Sequence, residues 1–167
     1  MISGNVFRVG SADDGTLGGL TPVAAVTLTT PHLIVRLTSS LYVYYISIEA
    51  LCVRIAADTR LEVLGILFPA ITAVTAGTAR TFNNMRSSMA GPLSLACTEN
   101  PTNLTGTATR RRAFYRVFNP ALGTQYRDGE RADMVCLGAN NAALGIWFVS
   151  ATATGDITWM LRADQVV

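Results

Sequence analysis

Apolar residues in this chain come in short runs rich in Val, Ile, Leu and Thr, and each run is soon cut off by Gly, Pro, Asn or Asp. That rhythm leaves little room for amphipathic helices. It suits strands, whose β-branched and aromatic side chains pack on a pleated, half-buried surface. The pattern predicts strands over 23–29, 32–38, 42–55 (bent or split), 61–68, 93–97, 113–118, 132–136, 143–152 and 157–163. Within 42–55, Ser47 and Glu49 fall on one face and Ile48, Ala50 and Cys52 on the other, with the alternation blurring after Leu51. The runs Leu144–Val149 and Ile157–Leu161 flank Thr154-Gly155-Asp156 and read as a hairpin.

A chain of 167 residues, half of them hydrophobic, can bury one core and reads as one domain. Residues 1–22 carry Gly4, Gly10, Asp13-Asp14-Gly15, Gly18-Gly19 and Pro22, too much punctuation for a regular element, and are expected to form an extended arm ahead of a domain over 23–167. Phe82, Met85 and Met89 recur at helical spacing and predict a short helix ended by Gly91-Pro92. The expected fold is therefore all-β: an eight-stranded antiparallel jelly-roll sandwich with one or two short helices in its connections.

Only 14% of residues are charged, against roughly 25% in ordinary soluble domains, so much of the surface is expected to be covered by partners. All 13 basic residues are Arg. A guanidinium grips carboxylates and phosphates bidentately and is less strongly hydrated than an ammonium, which suits interfaces and nucleic acid; biased base composition explains the same skew. The net charge of +2 does not by itself call for a polyanionic partner, so anion binding has to be local. Cys52, Cys97 and Cys136 have neither disulfide nor zinc spacing and read as small buried side chains. Without a run of ~18 apolar residues or a basic-then-apolar leader, the expectation is a non-secreted chain with no membrane partner.

Catalytic signatures are sparse. His32 is the sole imidazole, at a Pro-His step entering an apolar run, and reads as a strand-start residue rather than a base. No nucleophile elbow, P-loop or dinucleotide motif is present, and the chain reads as non-enzymatic. The carboxylates of Asp128, Glu130 and Asp133 could offer oxygen ligands to a hard cation such as calcium, completed by a neighbouring chain; the plainer reading is a solvated turn neutralised by Arg127 and Arg131. Arg110-Arg111-Arg112, followed by Phe114, Tyr115 and Arg116, is the one concentrated positive feature. It is open to three readings: salt links between subunits, contact with RNA phosphates and stacked bases, or plain surface.

Three stretches also resemble a known family. These are Tyr44–Arg54 followed by Leu61–Phe68, the segment from Phe82 to Pro92, and the course from Arg110 through Ala132–Cys136 to the closing pair of strands. Their layout resembles the shell domain of coat proteins of small icosahedral positive-strand RNA viruses, of the sobemovirus and tombusvirus-like plant groups. The resemblance implies paired central strands, a small helix after them, and a protein that assembles with copies of itself around genomic RNA, in the virion and in the host cytoplasm during assembly. This chain departs from those coats in lacking a basic arm, with Arg8 alone before Arg36; tymovirus-like coats, which leave RNA charge to polyamines, offer a parallel. A second reading is a β-sandwich carbohydrate- or receptor-binding module.

Overall fold

The computed structural model describes residues 5–11, 19–54, 60–85, 91–92, 94–118, 126–127, 134–152 and 155–166, and every regular element among them is a strand. In chain order these are β1 (Val6–Gly10), β2 (Leu33–Leu37), β3 (Val43–Arg54), β4 (Leu61–Phe68), β5 (Ala73–Thr75), β6 (Thr78–Arg80), β7 (Asn83–Asn84), β8 (Leu95–Glu99), β9 (Asn103–Thr105), β10 (Arg111–Phe118), β11 (Tyr126–Arg127), β12 (Val135–Leu137), β13 (Ala143–Ser150) and β14 (Asp156–Val166). One six-stranded sheet runs β11-β3-β14-β1-β7, with β12 also on the β3 edge; the other runs β10-β4-β13-β2-β8-β6; β5 and β9 form a separate two-stranded ribbon. All strand pairs are antiparallel.

Period-two alternation places the core. Phe7 and Val9 of β1, Tyr44, Ile46 and Ile48 of β3, and Ile157, Trp159, Leu161 and Ala163 of β14 meet Leu33, Val35 and Leu37 of β2, Leu61 and Val63 of β4, and Leu144, Ile146 and Phe148 of β13 in one buried cluster. The intervening residues of the second sheet are apolar as well, so its other face also needs cover. Ile34, Ile66, Phe68, Ala143 and Trp147 build a second core there, roofed by Leu104 of the β5–β9 ribbon, by Ile71 just before it and by Leu28. The Trp147 indole donates to the Thr27 carbonyl at 3.0 Å, which satisfies its one polar atom inside that layer. β13 is thus apolar on both faces because both are buried.

A bulge re-phases the longest strand. Leu161 pairs with Ile48 and Met160 with Ala50, leaving Glu49 as the extra residue of β3. Beyond it Leu51 is buried and Cys52 exposed, so Ala50 and Cys52 do not share the face of Ile48 as simple alternation predicts. Glu49 takes a bidentate hold on Arg8 of β1 on the outer face.

Other expectations are corrected by pairing that lies far apart in the sequence. The Leu144–Val149 and Ile157–Leu161 runs do not form a hairpin: β13 pairs with β2 and β4, β14 with β3 and β1, and the connection between them passes from one sheet to the other. Likewise β3 and β4 lie in opposite sheets rather than side by side. No helix occurs among the described residues; Asn83–Asn84 pair with Phe7 and Arg8 of β1, Phe82 is buried in the main core, and 86–90 lie outside the described residues. Val6–Gly10, within the stretch expected to be an arm, form a strand between β14 and β7, drawn in by Phe7 and Val9. Of 23–29, Val23 alone makes a bridge, to Val149. Cys97 is buried, but Cys52 and Cys136 are exposed, each on a residue whose neighbours in the strand face the core.

Candidate functional site

The arginine tract lies where a loop enters the edge of the second sheet. Gly106 turns the chain with φ +89°, and the space where its Cβ would stand is closed by the backbone of Ile71 and Thr72, so the loop before the tract is pinned against the ribbon. Arg110 Nη1 donates back to the Thr107 carbonyl at 3.3 Å, and Thr107 through Arg110 precede the first residue of β10. β10 then pairs with β4, with a register shift between Arg112 and Phe114. The shift sets Phe114 opposite Gly65, across which its ring lies: a Cβ on Gly65 would stand 2.3 Å from the ring. Ring and bare backbone together hold the edge strand in register.

Arg110, Arg111 and Arg112 are all exposed, and none is paired with a carboxylate among the described residues. Four other arginines differ, while Arg36 donates to the Asn141 amide oxygen. Arg80 is ion-paired with Glu99 at 2.6 Å in a nearly buried contact, Arg8 with Glu49, Arg60 with Glu62 at 3.1 Å, and Arg162 with Asp164 at 2.7 Å. The hydrogen bonds that Arg162 donates to Asp164 raise the pKa of its guanidinium, partly offset by burial. The outer face of the first sheet is therefore largely self-neutralised, whereas the three guanidiniums at the mouth of β10 present donor forks that no carboxylate among the described residues occupies. Arg116, which the sequence grouped with them, stands apart: it is half-buried and aligned with Val63 on the core side of the strand.

Arg60, which the sequence reading did not attach to this surface, belongs to it. Its Nη2 donates to the Tyr115 hydroxyl at 2.9 Å, fixing an exposed aromatic ring beside the tract, with Val117 exposed two residues on. Only the register of β10 against β4 brings Arg60 and Tyr115 together. The arrangement offers exposed guanidinium forks to oxyanions and one ring face for stacking.

Asp128, Glu130 and Asp133, the candidate cation ligands, lie outside the described residues. Tyr126–Arg127 and Val135–Leu137, which flank them, pair with successive stretches of the same edge of β3. Among the described residues no three His, Cys, Asp or Glu side chains come together as a metal site. His32 is buried and hydrogen-bonded through both ring nitrogens.

No family model, curated protein or solved structure matches the chain. Any assignment of function therefore rests on its own topology and surface.

Proposed function

We propose that the chain is a jelly roll of eight principal strands and a capsid protein of a small RNA virus, a structural protein that assembles with copies of itself and packages RNA. The observation that carries this is the strand order. Counting β11 and β12 as one interrupted strand on the β3 edge, the principal strands in chain order are β1, β2, β3, β4, β10, β11/β12, β13 and β14. First pairs with last, second with seventh, third with sixth, and fourth with fifth. This is the pairing of one long double ribbon, rolled up so that β14 also meets β3 and β13 also meets β4. Such rolled ribbons are the architecture of many capsid subunits and also of lectins and cupins, so the surface must decide among functions.

The surface favours the capsid. The sparse charge of the whole chain suits faces covered by neighbours, and the exposed arginine tract suits RNA phosphates or an acidic side of an adjacent subunit. Calcium shared between subunits at Asp128, Glu130 and Asp133 belongs to the same reading. Electron microscopy and sedimentation of the purified protein, with and without single-stranded RNA, test it. Closed particles of megadalton size are expected. A monomer at all protein and RNA concentrations overturns it, and a monomer that binds glycans supports the binding-module alternative.

A further inference from the structure

We infer that His32 is a proton-operated clasp that, in its neutral form, ties residues 19–23 across the gap between the two sheets. This segment stitches the sheets at one end: Leu20 exchanges backbone hydrogen bonds with Ile157 of β14, while Val23 donates to Phe148 and accepts from Ser150 of β13. His32 lies between the segment and β13. Its Nε2 is 2.9 Å from the Thr21 carbonyl, and its Nδ1 accepts the Phe148 amide hydrogen at 3.1 Å. Because an amide can only donate and a carbonyl can only accept, the ring must be the neutral tautomer with its hydrogen on Nε2.

A second proton would have to sit on Nδ1, facing the Phe148 N–H. Two donors would then oppose each other in a buried position, and the ring would have to leave one partner or both. Space exists for that movement: a cavity of about 330 Å³ beside the ring is lined by Gly19, Thr21 and Val23 of the segment and by Thr30, Asn100 and Pro101 opposite, with no second titratable group. The charged groups on surrounding elements are Asp156 of β14, whose carboxylate abuts Gly19, and the Arg80–Glu99 pair of β6 and β8. Neither lines the cavity, and β13 carries no ionisable side chain. In keeping with this, burial lowers the pKa of the imidazole, partly offset by the Thr21 bond.

The inference is independent of the capsid reading and is tested on the isolated full chain. Hydrogen exchange followed by NMR, corrected for intrinsic exchange, is compared between about pH 7.5 and about pH 5, alongside titration of the ring itself. As pH falls below about 6.5, opening at the Leu20, Val23 and Phe148 amides is expected to rise by up to about tenfold per pH unit until the ring's own midpoint is passed. The Ile46 and Leu161 amides in the sheet interior should stay protected. In His32→Gln the acid response should disappear. Unchanged protection of the three amides, or the same acid response in His32→Gln, overturns the clasp. If His32→Gln fails to fold, the wild-type pattern decides: a uniform acid loss of protection across both sheets overturns it, and selective opening of 19–23 with Phe148 sustains it.

Discussion

At the scale of single residues, close packing and buried charge set the sharpest constraints. Gly65 has no room for a methyl group beneath the Phe114 ring. Gly65→Ala should cost about 1–3 kcal/mol in urea unfolding, as overpacking does, and Phe114→Leu in the same chain should recover part of that loss, a coupling that a double-mutant cycle would measure. The Arg80–Glu99 pair, with side chains 11% and 8% exposed, is the most buried ion pair described. Glu99→Gln leaves a nearly buried guanidinium without its carboxylate and should cost roughly 3 kcal/mol, whereas Arg60→Ala at the exposed Arg60–Glu62 pair should change stability by less than about 1 kcal/mol. None of these partners can be matched from the sequence, because nothing in the run around Arg80 distinguishes it from the other twelve arginines.

At the scale of elements, irregularities explain where alternation misleads. The Glu49 bulge in β3 and the register shift before Phe114 in β10 each insert one residue, and each turns a side chain to the face opposite to the one simple counting assigns. Both lie beside arginines that matter: Glu49 is thereby offered to Arg8, and Arg111 and Arg112 are left at an exposed edge with no carboxylate partner among the described residues. Charge and a bulge are also how an edge strand avoids uncontrolled pairing. Replacing Arg110, Arg111 and Arg112 with Ser should therefore leave urea stability within about 0.5 kcal/mol. It should reduce the slope of log affinity against log salt for single-stranded RNA by about 2. An unaltered salt slope would detach the tract from RNA and leave subunit contact or plain surface as its role. The tract and its neighbour Tyr115 were legible as a run; its isolation from Arg116 and its association with Arg60 were not, since both follow from the register against β4.

At the scale of the whole molecule, stability should depend on pH through His32. The folded pKa is lowered, so the unfolded chain binds the proton more readily below the ordinary value near 6.5. The histidine's contribution is complete above that value and is lost as pH falls towards the lowered folded pKa. The urea midpoint is expected to decline with acidification across that window, and the slope should flatten there in His32→Gln. Folding should also be slow for a chain of this size, in the range of milliseconds to seconds, because every principal pair joins segments from distant parts of the chain. Stopped-flow refolding measures this directly.

The sequence by itself determined the class of fold and much of the core, because β-branched alternation and turn residues act locally: strands over Leu33–Leu37, Leu61–Phe68 and Ala143–Ser150 fall where short-range pattern placed them. Tertiary structure decided the partners. Whether β14 meets β13 or β3, whether Phe82 heads a helix or fills the core beside β1, and whether Val6–Gly10 trails outside or lies within a sheet depends on hydrogen bonds and apolar faces contributed by residues up to a whole chain length away. A strand carries its alternation in its own residues, but its open backbone edges are satisfied only by another segment, and local pattern holds no record of which segment that is.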